Sequence, residues 1–210
     1  VQPGEAELTW ISDTDYHLVL HEAHRCIRDP TVESKVTIPV EEIKSPTTAF
    51  REARVTGLDA DERELSLADG DTVDYDYCLL AVGTRTAFYG IDGLEEHSLT
   101  LKSLEDVLES LEDTREINRR VEAAAEAATA DDPAHVIVGG AGLSGIQTAG
   151  EIAGYRDDND APIEVTLVEG LDEIFPGNDP EVQGKLRGYL EDEDVAIETG
   201  EFISEVDDDT

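Results

Sequence analysis

Val136-Ile137-Val138-Gly139-Gly140-Ala141-Gly142-Leu143-Ser144-Gly145 is a β-branched run that opens directly into glycines spaced as G-x-G-x-x-G. Each glycine of such a loop has its own physical task. Gly140 permits a tight turn, Gly142 leaves room for a pyrophosphate against the backbone, and Gly145 lets the following helix pack close to the strand. A helix beginning near Leu143 and Ser144 points its first N–H groups and its positive dipole end at a bound phosphate. A second β-prone run, Ile163 to Val168, ends at Glu169, where a carboxylate can accept hydrogen bonds from both hydroxyls of an adenosine ribose. The same negative charge repels a 2′-phosphate, which favours NADH over NADPH. A lone glycine fingerprint also arises in turns that only pack, but strand, loop, helix, strand and terminal acid follow one another here in order. FAD is the competing ligand, because flavin sites share the fingerprint.

Outward from this unit, the surface is acidic throughout. The 210 residues carry 51 Asp and Glu against 15 Lys and Arg, a formal charge of -36, yet 39% are hydrophobic and fall in periodic runs. A disordered chain would lack those runs, so the composition describes a folded acidic protein. Such a surface suits concentrated salt, and four lysines in the whole chain fit a halophilic source. It excludes nucleic acid as a partner, which requires clustered Lys and Arg. No apolar run approaches the roughly 18 residues of a membrane span, and no signal peptide is visible, so a cytoplasmic location is expected. The chain contains no Met and opens on Val1-Gln2-Pro3-Gly4, which leads us to expect an internal fragment of a longer protein.

Before the glycine unit the pattern is richer in strands. Leu8 to Ile11 reads as a short strand, Leu18 to Ile27 as a helix ended by Asp29-Pro30. Phe50 to Leu58 and Glu64 to Leu67 alternate, and Asp69-Gly70 marks a hairpin turn into Thr72 to Tyr77. Cys78 to Val82 is apolar enough for a buried strand, with Cys78 as a small buried side chain. Ser103 and Asp106 predict a helix start, with Leu104, Val107, Leu108 and Leu111 as its apolar stripe. Asp131-Asp132-Pro133 marks a boundary. After the glycine unit, Asp179-Pro180 opens a helix to about Asp192, Val195 to Thr199 is a strand, and Glu205-Val206-Asp207 reads as a strand entering a turn.

Three side-chain groupings invite sharper readings. His17, His21 and His24 could share a helix face near Cys26, but four good metal ligands are not evident, and no metal is expected. Cys26 and Cys78 are far apart and match neither a zinc nor a CxxC spacing, so reduced thiols are the expectation. Asp157-Asp158-Asn159-Asp160 lacks the further ligands of a calcium loop and reads as a solvated turn.

At these residues the chain resembles the type II NADH dehydrogenases, flavoproteins of the pyridine nucleotide-disulfide oxidoreductase superfamily. Tyr16-His17-Leu18 resembles the segment after the second strand of that family's FAD domain. Tyr75-Asp76-Tyr77 leading to Ala81-Val82-Gly83-Thr84 resembles its flavin-facing strand and turn. Gly90-Ile91-Asp92-Gly93-Leu94-Glu95-Glu96-His97 and Thr100 to Asp106 resemble the link into its NADH domain. Gly140 to Gly145, Glu151 and Glu169 resemble the NADH loop, its helix and its ribose acid.

The resemblance implies an α/β protein with two Rossmann-like domains, both incomplete here: a partial FAD-binding domain at 1–100, a connecting helix at 101–132 and a partial NADH-binding domain at 133–210. It implies hydride transfer from NADH to FAD and electron transfer onward to a quinone. The same residues also suit a related flavoprotein with ferredoxin or sulfide and quinone as partners, or a non-catalytic dinucleotide-binding module. The elements outside this chain, including the first FAD glycine loop, are expected upstream and downstream. Peripheral attachment to the inner face of the cell membrane and homodimer formation are further expectations. Two departures stand out. Ser12 occupies the position of the family's FAD ribose acid, with Asp13 beside it as the substitute. Gln147 stands where many members have Glu, so it can hydrogen-bond a nicotinamide or flavin edge but cannot relay a proton.

Overall fold

The structure, a computed structural model, describes residues 6–83, 86–101 and 107–207, and only the backbone of residues 107–110. The first part of the chain is built from short strands: β1 (Leu8–Ser12), β2 (Tyr16–Leu18), β3 (Thr37–Pro39), β4 (Thr48–Glu52), β5 (Val55–Asp59), β6 (Glu64–Leu67) and β7 (Thr72–Asp74). β1 and β4 pair in parallel, and their facing residues Trp10 and Phe50 meet edge to face with ring centroids 6.2 Å apart. That geometry suits the quadrupoles of both rings. β2 pairs antiparallel with β3, and β5-β6-β7 form an antiparallel meander. Gly70, at φ +90, turns β6 into β7 as expected of Asp69-Gly70.

Three expectations for this part are corrected. Phe50 to Leu58 is not one strand, because β4 stops at Glu52 and β5 restarts at Val55 in a different sheet. Leu18 to Ile27 is not an α-helix: Leu18 ends β2, and Leu20–Cys26 winds as a 3₁₀ helix. Its two buried residues, Ala23 and Cys26, are three apart, which matches the three-residue turn of a 3₁₀ helix and keeps both on one face. Cys78 to Val82 is not a buried strand. Cys78 is exposed, Leu79 is 91% and Val82 88% exposed, and no described strand pairs with them. Apolar composition predicts burial only where the fold offers a partner face, and the described sheets offer none to this run.

The second part supplies the main core. A long helix, α1 (Val107–Ala127), leads into β8 (Ala134–Gly139), α2 (Leu143–Asn159), β9 (Ile163–Glu169), α3 (Pro180–Asp192) and β10 (Val195–Thr199). The three strands are parallel in the order β10-β9-β8. Along β9 every second residue, Ile163, Val165 and Leu167, is buried, the period of a pleated strand. Along α2 the buried residues Ile146, Ala149, Ile152 and Ala153 follow helical spacing. Ile174, Leu190 and Val195 close the same cluster, together with Ile117 and Val121 of α1.

The two parts share this core. Ile27, fully buried, belongs to the cluster around the parallel sheet, and its carbonyl accepts a 2.9 Å hydrogen bond from the buried Asn118 amide. Leu111 of α1 packs with Leu18, Ala23, Cys26, Val32 and Val36. Ser103, Leu104 and Asp106 lie outside the described residues, as do the side chains of Val107 and Leu108. Glu205-Val206 contributes a single parallel bridge to Asp92 rather than a strand. Among the described residues no helix is long and apolar enough to cross a membrane.

Candidate functional site

The glycine loop sits where β8 hands over to α2, and its backbone requires the residues it has. Gly140 adopts φ +87, a region that disfavours side chains, and its N–H donates to the Val168 carbonyl at 2.7 Å. A Cβ on Gly145 would fall inside the carbonyl group of Gly140. Gly142, at the cap of α2, meets nothing where a Cβ would stand and offers no side chain to its helix amides. A helix end left uncapped in this way keeps its donors available to an anion. Gly142 and Leu143 are exposed, while Ser144 and Gln147 are half-buried on the first turns of the helix.

Glu169 closes the loop from the neighbouring strand. One carboxylate oxygen, Oε2, accepts from the Ala141 amide at 2.7 Å, and the other, Oε1, accepts from the Leu171 amide at 3.0 Å. The Ala141 carbonyl in turn accepts from the Phe175 amide at 2.7 Å. The acid is therefore held in one orientation by two charge-assisted bonds, and each oxygen keeps a lone pair for a further donor. A vicinal diol is a matched partner for that pair. This second duty of Glu169, strapping the loop to the end of β9, was not readable from spacing alone.

The residues assigned to FAD by resemblance are not assembled in the same way. Asp13 is half-buried just after β1, between Ser12 and Thr14, whose hydroxyls lie 3.3 Å apart. Ala81, Val82 and Gly83 face solvent outside every described sheet, and Thr84 lies outside the described residues.

The histidine trio divides. His17 lies on β2, the His21 side chain is exposed, and His24 turns towards Glu151 of α2, with Nε2 3.6 Å from Oε1. Burial lowers the pKa of His24 and raises that of Glu151. No cluster of three or more potential metal ligands occurs among the described residues. Both cysteines are free thiols. Burial pushes Cys26 up to about 11, and Cys78 is exposed. Asp158 takes a bidentate pair from Arg28 at 2.6 and 2.9 Å, and Asp157 pairs with Arg156 at 2.8 Å. Those acids serve arginines rather than a cation loop.

Comparisons with known proteins point the same way as this geometry. The type II NADH:quinone oxidoreductase of Staphylococcus aureus (strain NCTC 8325 / PS 47) is 27% identical over 209 residues, covering 93% of this chain and 50% of that protein. The chain spans about half the length of the curated relatives it matches. Among solved structures, NDH2 from Plasmodium falciparum in complex with NADH superposes with a TM-score of 0.76 at 16% identity, over 97% of this chain and 45% of that one. The sulfide:quinone oxidoreductase of Aquifex aeolicus gives 0.72 at 15% identity, over 96% and 46%. These structures share the fold. A family model described as pyridine nucleotide-disulphide oxidoreductase matches residues 13–210, nearly the whole chain, and the chain belongs to that family.

Proposed function

We propose that the chain is the NADH-binding part of a flavin-dependent NADH dehydrogenase that reduces a quinone. The observation that carries the reading is the meeting of Glu169 with the glycine loop: a ribose-binding carboxylate fixed beside an uncapped helix end. In this proposal the pyrophosphate of NADH lies along Gly140, Gly142, Leu143, Ser144 and Gly145, and Glu169 receives the ribose hydroxyls. In the same reading Gln147, on the same helix, hydrogen-bonds the nicotinamide or flavin edge, and Asp13 and Ala81 to Thr84 belong to the flavin side. FAD supplies the two-electron acceptor chemistry; this chain's own residues bind NADH, orient it and exclude the 2′-phosphate of NADPH. The division 1–100, 101–132 and 133–210, peripheral membrane association on the cytoplasmic side, a homodimer and a halophilic archaeal source are parts of the same proposal. The acidic surface supports the halophilic source.

Two measurements test it. The FAD-loaded full-length protein is expected to oxidise NADH in molar salt when given a soluble quinone, and bound FAD without quinone-dependent oxidation would overturn the reading. Glu169→Ala is expected to lose most of the preference for NADH over NADPH in equilibrium binding. A variant that kept the preference would remove the ribose assignment.

A further inference from the structure

Among the described residues five other than glycine adopt a positive φ, and four of them, Arg63, Tyr89, Asp160 and Asp194, lie in turns. The fifth, Phe175 at φ +49, belongs to the irregular segment between β9 and α3. Left-handed backbone is costly for a bulky side chain. Such outliers persist only where the surrounding structure holds them, and they gather at functional sites. Phe175 is held from three directions. Its side chain is partly buried against the main core. Its carbonyl accepts from the side-chain amides of Gln183 and Asn178 at 3.1 and 3.2 Å, and its N–H donates to the Ala141 carbonyl at 2.7 Å. Ala141 is fully buried, and its own N–H already donates to Glu169.

From this we infer that Phe175 is a positioning residue for the pyrophosphate of NADH: its backbone N–H fixes the peptide plane between Ala141 and Gly142 and so aims the Gly142 N–H. The inference rests on the NADH reading and deepens it. In a planar trans peptide the carbonyl and the N–H point in opposite directions. A carbonyl drawn to Phe175 therefore turns the Gly142 N–H away from Phe175. Gly142 is exposed, and nothing lies within 4 Å of where its Cβ would stand, which leaves room for a phosphate oxygen beside that amide. With right-handed backbone Phe175 would direct its N–H elsewhere, and the peptide plane would lose its anchor. The bonds from Gln183, in the first turn of α3, and from Asn178 just before that helix hold the strained residue in place. The donor is thereby set before the ligand arrives, and a preorganised donor binds at a lower ordering cost than one that must first be turned.

Two readouts on the FAD-loaded full-length protein in molar salt separate this role from a structural one. ADP-ribose, which contains the pyrophosphate but no nicotinamide, reports binding by calorimetry, and NADH oxidation with a soluble quinone reports KM and kcat. A donor that meets the pyrophosphate equally before and during hydride transfer contributes uniform binding, so misaiming it raises KM and spares kcat. Phe175→Gly frees the backbone and removes the anchoring ring. It is expected to weaken ADP-ribose binding and raise the KM for NADH about tenfold, the scale of one hydrogen bond to a charged group, with kcat unaltered. Phe175→Tyr, which keeps the ring, is expected to retain the wild-type values. The double variant Asn178→Ala, Gln183→Leu releases the carbonyl while leaving the ring in place; it is expected to act in the same direction, and it decides the matter if Phe175→Gly does not fold. Unchanged ADP-ribose affinity in a folded variant, or a fall in kcat at unchanged KM, would overturn the positioning role while leaving the NADH reading intact. A wild-type protein that binds neither NADH nor ADP-ribose would remove both.

Discussion

Gly145 shows how much of the site was written in single residues. Its place in the glycine spacing already required a helix packed tight on the strand, and the structure supplies the reason: a Cβ there has nowhere to go but into the Gly140 carbonyl. Backbone cannot step aside as a flexible side chain can. Gly145→Ala is therefore expected to destabilise the fold by about 1–3 kcal/mol, the range of overpacked core substitutions, and to lower NADH affinity by more than tenfold because the loop must open. Chemical denaturation and calorimetry on the same variant would check both, and an unaltered midpoint would show that the loop tolerates a side chain. Gly142→Ala is the informative control, since nothing stands near its Cβ position in the empty loop; it should spare stability and reduce only binding. Glu169 was legible as a ribose acid, whereas its bonds to the Ala141 and Leu171 amides were not. Spacing along a chain fixes which strand an acid ends, but not which amides its rotamer reaches.

At the scale of elements, boundaries with local chemistry were readable and those set by packing were not. α3 begins where expected because Asp179 caps it, accepting from the Glu181 amide at 2.8 Å, with Pro180 as its first residue. β9 and β10 alternate or end as their sequences require. The 3₁₀ segment Leu20–Cys26 was misread because its apolar spacing is compatible with either helix, and its contacts with α1 and α2 decide. The exposed run Cys78 to Val82 was misread for the converse reason, a missing partner. The junction of the 3₁₀ segment with α2 carries a pH dependence whose sign is fixed. His24 is buried enough that its folded pKa lies below 6.5, so the unfolded chain takes up its proton first and stability falls as pH drops through that window. Glu151 has a folded pKa above 4.5; its contribution is fully present below 4.5 and is lost as pH rises through the folded value, which opposes the histidine. The carboxylates with lowered pKa, such as Glu173 and Asp158, act only below about 4.5. Between pH 7.5 and 5.5, His24→Gln is thus expected to lose less stability than the wild type. Thermal melts at the two pH values provide the check, and equal losses would show that His24 does not sense this window.

For the whole molecule the dominant quantity is charge. An excess of 36 acids over bases cannot be neutralised by the ion pairs the structure contains, several of which already spend one arginine on acidic neighbours, as Arg51 does on Asp69 and Asp71. Salt weakens such exposed pairs, which contribute little individually, and it also weakens the repulsion among the acids that remain. The two effects have opposite signs, and the numbers decide: few attractive contacts are lost, while repulsion spread over the entire surface is relieved. The screening length falls from about 10 Å at 0.1 M to about 3 Å at 1 M salt, below the usual spacing of neighbouring surface carboxylates. The melting temperature is accordingly expected to rise by several degrees between 0.1 and 1 M KCl. A variant with Glu41, Glu42, Glu62, Glu122, Glu126 and Glu193, all exposed, changed to Gln should melt higher than the wild type in dilute buffer and respond less to salt. If that variant kept the full salt response, the stabilisation would come from strengthened apolar burial, which salts excluded from the protein surface also produce, and the acidic surface would not be its cause.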